Sequence, residues 1–126
     1  MNNVTSDGIG FYQVNGITYR ARVAGSGPAL LLLHGFTGDL HTWDRFVPRW
    51  AQSFQVIAVD LPGHGSTDAP TSPERYRMER CVDDLTAFLD ELGVTDVRVL
   101  GYSMGGRVAL HFVLAAPQRV AALVLE

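Results

Sequence analysis

A serine stands between two glycines at positions 101–105, where the chain reads Gly-Tyr-Ser-Met-Gly. This G-x-S-x-G spacing is typical of a nucleophilic serine on a sharp turn, provided that a strand precedes the turn and a helix follows it. The apolar run Val97–Leu100 and the helical pattern Met104–Ala115 meet both conditions. We therefore predict that Ser103 is a catalytic residue, projected above the carboxyl end of a sheet by a strained backbone.

Four short apolar runs predict strands that are covered on both faces. They are Ala29–Leu33, Val56–Val59, Val97–Leu100 and Ala121–Leu125. Helical candidates precede the last three of these runs, and the alternation predicts a parallel sheet. The clearest helix has a stripe of apolar residues between Val82 and Leu92, and Gly93 follows as a stop signal. A shorter helix is predicted over Trp43–Ala51.

Two β-favouring runs precede these elements, Phe11–Val14 and Ile17–Val23, with Asn15-Gly16 between them. Asn-Gly suits the positive φ angles of a tight hairpin turn. The whole pattern predicts an α/β fold: a mostly parallel sheet with an antiparallel N-terminal hairpin and helices on both faces. We expect one domain over residues 1–126, because Pro70–Pro73 reads as a surface loop and not as a domain linker.

Three motifs in this order resemble the α/β-hydrolase superfamily. They are His34–Gly38, Asp60–Ser66 and Gly101–Arg107. Within the superfamily, the combination is most similar to the 2-succinyl-6-hydroxy-2,4-cyclohexadiene-1-carboxylate synthases of menaquinone biosynthesis. The resemblance covers nearly everything from Val14 to Glu126. It implies a lyase that eliminates pyruvate from a cyclohexene carboxylate, with the serine acting as a base and with no cofactor.

The resemblance also implies roles for residues around the serine. The backbone N–H groups of Phe36 and Met104 would form an oxyanion hole. Tyr102 and Arg107 would bind the acidic substrate, since the planar guanidinium of an arginine pairs both oxygens of a carboxylate. No metal site is implied. We interpret His34 as a structural hydrogen-bonding residue of its loop and not as a proton carrier.

The catalytic acid and histidine of the superfamily normally follow the strand that ends here at Leu125. The resemblance therefore implies a truncated α/β-hydrolase fold that lacks the C-terminal strands, the lid and two of the three triad residues. Without the histidine, Ser103 would keep a neutral hydroxyl and activity would be weak. The strand Ala121–Leu125 would present an unpaired apolar edge, so we expect a homodimer or higher self-association through that edge.

Composition limits the classes of partner. The net charge of -3, with 47% hydrophobic and 18% charged residues, is that of an ordinary globular protein and gives no reason to expect nucleic-acid binding. Met1–Gly10 lacks the order of a signal peptide, and Ala29–Leu33 is too short to span a membrane. Cys81 is the single cysteine, so no intrachain disulfide can form. We expect a cytoplasmic protein that binds a small-molecule carboxylate or ester.

Three functions remain open at this point. The first is a serine-dependent enzyme related to the pyruvate-eliminating lyases. The second is a carboxylesterase or a carbon–carbon bond hydrolase of the same fold. The third is a non-catalytic half-fold, truncated, designed or ancestral, that self-assembles. Dehalogenases and many epoxide hydrolases of the superfamily use an aspartate nucleophile, so Ser103 argues against both of those activities.

Overall fold

The computed structural model describes residues 4–126 and contains one six-stranded sheet. Its strands are β1 (Ile9–Val14), β2 (Ile17–Ala24), β3 (Ala29–Leu33), β4 (Gln55–Val59), β5 (Val97–Gly101) and β6 (Val120–Leu125). Their spatial order is β1-β2-β4-β3-β5-β6. The strand β2 pairs antiparallel with β1 and β4, whereas β4, β3, β5 and β6 run parallel. The predicted mostly parallel sheet with an antiparallel N-terminal hairpin is confirmed.

The hairpin turn between β1 and β2 has the predicted chemistry. Asn15 and Gly16 have φ angles of 47° and 86°. Positive φ at both central residues is the geometry that matches the right-handed twist of the flanking strands. Val14 and Ile17 therefore pair directly across the turn, which fixes the register of the hairpin.

Three α-helices accompany the sheet: α1 (Val47–Trp50), α2 (Met78–Glu91) and α3 (Met104–Ala115). Three 3-10 helices cover Leu40–Trp43, Pro73–Tyr76 and Pro117–Arg119. The helix predicted over Trp43–Ala51 is wrong as a continuous element, because Pro48 has no N–H and its ring would collide with the carbonyl of Asp44. The helix α1 consequently begins only at Val47. Between residues 4 and 126, no helix is long and apolar enough to cross a membrane.

The sheet is covered on both faces, as predicted, but unequally. On one face α2 and α3 build the larger core, in which Leu31, Leu33 and Ile57 meet Phe88 and Phe112. The opposite face is covered by α1 and the 3-10 helix before it. That smaller cluster contains Leu32, Leu40, Trp43, Val47, Val56 and Ala58. Neighbouring β3 residues thus enter different cores, which explains why this strand is apolar throughout.

The strand β6 lies at one edge of the sheet, where β5 is its only pairing partner in the described part of the chain. Its Val124 and Leu125 side chains are about half exposed. On the adjacent helix α3, Leu110 and Leu114 are exposed as well. None of the residues Val120–Leu125 is charged. The self-association expected through this edge stays a prediction.

Candidate active site

Ser103 lies in a tight turn between β5 and α3, with φ 53° and ψ −111°. Residues with a side chain rarely adopt a positive φ, so this backbone is strained. Flanking hydrogen bonds hold it in place: the N–H of Tyr102 donates to the Leu33 carbonyl and that of Ser103 to the Glu126 carbonyl, both at 3.0 Å. The Ser103 residue is exposed. The predicted strained turn is therefore present, and it lies at an exposed position.

The glycines on either side of Ser103 allow the closest contacts of the turn. A Cβ atom added to Gly105 would lie 2.0 Å from the backbone oxygen of Leu33. One added to Gly101 would lie 2.4 Å from the backbone oxygen of Gly105. Real Cβ atoms do not approach other atoms so closely. Because the contacted atoms belong to the backbone at both glycines, no side-chain movement could remove the overlap. Helix α3 can start directly against the end of β3 only because both side chains are missing.

The backbone N–H groups of Met104 and Phe36, near this turn, donate to no acceptor among residues 4–126. The N–H groups on either side of Met104 are occupied, since Ser103 donates to Glu126 and Gly105 donates to Tyr102, but that of Met104 is free. The N–H of Phe36 is free as well. These are the two donors predicted for the oxyanion hole, and their function there stays a prediction.

The loop that carries Phe36 touches the serine turn through Gly35. A Cβ atom added to Gly35 would lie 2.9 Å from the Tyr102 ring and 3.4 Å from the Ser103 Cβ. Gly35 itself is buried, whereas Phe36 is 72% exposed. The loop after β3 and the turn after β5 are therefore in van der Waals contact beside Ser103.

Asp60 connects the two loops nearest to the serine turn. Its carboxylate is fully buried and accepts hydrogen bonds from Arg20 Nε at 2.7 Å, from the Leu40 N–H at 2.7 Å and from the Ser66 N–H at 2.8 Å. Leu40 follows the loop of Phe36, and Ser66 lies in the loop after β4. A buried carboxylate with three donors is satisfied and fixes its partners in position. The sequence pattern included Asp60 in a motif without assigning it this role.

His34 makes a hydrogen bond with each of its ring nitrogens. Nδ1 donates to the Gly35 carbonyl at 2.7 Å, and Nε2 accepts from the Leu61 N–H at 3.0 Å. The accepting nitrogen must be unprotonated, so the ring is neutral. Burial lowers the pKa of His34, in agreement with this state. The structural role predicted for this residue is confirmed.

His34 should make the fold less stable in mild acid. The unfolded chain takes up a proton on this ring near pH 6.5, whereas the folded chain, with its lowered pKa, does not. Stability is therefore retained above that pH and lost as the pH falls below it, by up to about 1.4 kcal/mol per pH unit. Urea unfolding between pH 7.5 and pH 5 measures this slope, which His34→Gln should reduce. His111→Gln, at an exposed position, should keep the wild-type slope.

Both residues predicted to bind an acidic substrate are accessible. The Tyr102 side chain lies against Gly35 and is 47% exposed. Arg107 follows on α3, where its backbone N–H donates to the Ser103 carbonyl at 3.2 Å. Its side chain is exposed, and no carboxylate of residues 4–126 forms an ion pair with it. The guanidinium is thus available for a ligand, and its part in substrate binding stays a prediction.

A half-open pocket of about 230 Å³, here called the chamber, is bordered by both residues that carry the predicted oxyanion donors. Its walls come from two loops, the 3-10 helix Pro73–Tyr76, α2 and α3. The lining residues are Phe36, Leu61, Pro62, His64, Arg75, Tyr76, Met78, Cys81, Met104 and Val108. The chamber could not be predicted from the sequence, because its residues come from five separate segments and form no local motif.

The family of the chain can now be stated. A model of the alpha/beta hydrolase fold family matches residues 28–126, and the sheet order, the strained serine turn and its two glycines fit that assignment. The chain belongs to the alpha/beta hydrolase fold family.

Individual relatives add detail. The whole chain is 41% identical to a Bacillus subtilis protein described as a 2-succinyl-6-hydroxy-2,4-cyclohexadiene-1-carboxylate synthase, and covers 43% of that protein. It is also 41% identical to epoxide hydrolase 2 of Siraitia grosvenorii, over 87% of the chain and 35% of the relative. Among solved structures, epoxide hydrolase VrEH1 of Vigna radiata superposes with a TM-score of 0.89 at 31% identity, over 93% of this chain and 38% of that one. The chain thus spans less than half the length of these relatives.

Proposed function

We propose that Ser103 is the reactive group of an enzyme that eliminates pyruvate from a cyclic carboxylate, the activity implied by the resemblance of its motifs to the 2-succinyl-6-hydroxy-2,4-cyclohexadiene-1-carboxylate synthases, one of which is similar over the whole chain. One observation carries the proposal: an exposed serine on a strained strand-to-helix turn, near the backbone N–H groups of Phe36 and Met104, which have no acceptor among residues 4–126. Donors that are free in advance can stabilise charge without reorganisation, which is the property a catalytic site needs.

In the proposed reaction each residue has a separate task. Ser103, after giving up its hydroxyl proton, takes the proton that the substrate carbon loses, and the electron pair left on the ring forms a new carbon–carbon double bond as the bond to the departing pyruvate unit breaks. The N–H groups of Phe36 and Met104 donate to the oxygen on which negative charge develops. Arg107 and Tyr102 hold a carboxylate of the substrate. His34 cannot receive the serine proton, because both of its ring nitrogens are engaged. A further base is required, and in the superfamily it is a histidine that follows the region matched here.

A serine-directed fluorophosphonate tests the reactivity of Ser103. We expect the reagent to modify Ser103 about 100-fold faster than any other serine, which corresponds to the effect of an oxyanion-hole donor. Peptide mapping by mass spectrometry locates the adduct. Ser103→Ala should remove it, and Ser66→Ala, at another exposed loop serine, should not. Equal labelling of several serines in a folded protein would favour the non-catalytic half-fold instead.

The second candidate function is ester or carbon–carbon bond hydrolysis. The apolar lining of the chamber favours it, because six of the ten lining residues, Phe36, Leu61, Pro62, Met78, Met104 and Val108, have hydrocarbon or thioether side chains. Pyruvate release from the cyclohexene carboxylate, measured beside p-nitrophenol release from simple esters, separates the two activities. Epoxide hydrolysis is not proposed despite the relatives of that name, because position 103 carries a hydroxyl in place of the carboxylate nucleophile.

A further inference from the structure

We infer that the chamber binds a compact, uncharged hydrocarbon part of the substrate and excludes carboxylates. This inference rests on the proposed function, since it concerns the substrate of the same site. Phe36 and Met104, whose backbone N–H groups are the predicted oxyanion donors, also line the chamber. A ligand that fills the chamber therefore contacts the two residues that carry those donors.

The volume of the chamber limits the size of its occupant. A cavity of about 150 Å³ in another protein is large enough for benzene. The chamber, at about 230 Å³, therefore accepts a single six-membered ring or a short branched chain. Larger ligands must extend out of it.

The single permanent charge on the chamber wall is already neutralised. Arg75 is 7% exposed, and its two terminal nitrogens each donate to a different oxygen of Asp84 at 2.8 Å. A bidentate pair of this kind leaves little capacity for a second carboxylate. A ligand carboxylate in the chamber would lose its hydration without gaining an ionic partner.

The other polar groups on the chamber wall do not offer a carboxylate an ionic partner either. The Tyr76 hydroxyl donates to the Pro70 carbonyl at 2.6 Å. His64 Nδ1 lies 3.1 Å from the Pro62 carbonyl, to which it can only donate, so the other nitrogen of the neutral ring is an acceptor and does not attract a carboxylate. Burial raises the pKa of the Cys81 thiol to about 12, so that this group stays neutral at physiological pH. We therefore expect any carboxylate of the substrate to remain outside the chamber, near Arg107, which has no ion-pair partner among residues 4–126.

Methionine methyl groups provide a direct probe of binding. The chain has three methionines, and two of them, Met78 and Met104, line the chamber. With the methyl groups labelled with carbon-13, NMR can follow a titration with cyclohexanol and another with cyclohexanecarboxylate, which differ mainly in charge. We expect cyclohexanol to shift both methyl signals saturably, and the carboxylate to bind about 100-fold more weakly because of its lost hydration.

Filling the chamber supplies the matched control. Val108→Phe should abolish the cyclohexanol shifts, whereas Val113→Phe, at a partly exposed position on the same helix, should preserve them. If Val108→Phe does not fold, Cys81→Leu fills the chamber from α2. Equal or tighter binding of the carboxylate, or methyl signals that cyclohexanol leaves unmoved, would overturn the inference.

The binding measurement does not depend on the reactivity of Ser103, so the two proposals can fail separately. Rapid labelling of Ser103 without cyclohexanol binding would refute the chamber and keep the proposed function. Cyclohexanol binding without selective labelling of Ser103 would refute the proposed function and keep the chamber as an apolar binding site.

Discussion

Gly105→Ala is expected to destabilise the fold by about 3 kcal/mol, the upper part of the range for overpacking. The new methyl group would lie 2.0 Å from the Leu33 oxygen and 2.6 Å from the His34 oxygen. Both atoms belong to the backbone, so no side-chain rotation can relieve the contact. Relief requires α3 to move away from β3, which breaks the packing that holds the serine turn. Urea unfolding monitored by circular dichroism measures the change.

Gly106→Ala is the matched control for this substitution. Gly106 is the next residue of α3, but the nearest atom to an added Cβ is the Gly101 oxygen at 3.4 Å, an ordinary contact distance. Alanine is favoured over glycine within a helix by up to about 1 kcal/mol. Gly106→Ala should therefore leave stability unchanged or raise it slightly. Equal destabilisation by the two substitutions would show that the close approach of α3 to β3 is not what requires glycine.

The strands could be predicted from the sequence because their signals are local. The run Ala29–Leu33 was predicted with the bounds that the structure gives to β3, and the Asn15-Gly16 turn was correctly placed. The error over Trp43–Ala51 has a local cause as well, since Pro48 interrupts the apolar pattern without changing its period. Hydrophobic periodicity indicated the type of element but not its continuity.

The candidate site was only partly predictable for a related reason. The serine turn is contained in five consecutive residues, so its geometry follows from a short motif. The chamber combines side chains from segments that are up to 72 positions apart, from Phe36 to Val108. The bonds of Asp60 likewise join Arg20, Leu40 and Ser66, from three different segments. Such groupings depend on how the strands are ordered in the sheet, and the spacing of residues within a short motif does not predict that order.

Asp84→Ala should destabilise the fold by about 3–5 kcal/mol, because it leaves a buried arginine without its partner. Asp84 is 1% exposed and forms the bidentate pair with Arg75 on the chamber wall. It also accepts hydrogen bonds from the Tyr19 hydroxyl at 2.7 Å and from the Asn15 side chain at 3.0 Å. All three donors lose a partner in the variant. Chemical unfolding at neutral pH provides the measurement.

Asp90→Ala, on the same helix, is the control that shows whether burial or ion pairing causes the loss of stability. Asp90 forms an ion pair with Arg119 at 2.9 Å, but its side chain is 62% exposed, so its removal should cost at most about 1 kcal/mol. Similar losses of stability in the two variants would contradict the argument that burial is the cause.

Asp84→Ala also has an expected effect on binding. If the variant folds, Arg75 has no paired carboxylate and still borders the chamber. The preference of the chamber for cyclohexanol over cyclohexanecarboxylate should then decrease, because the same guanidinium can pair with the ligand.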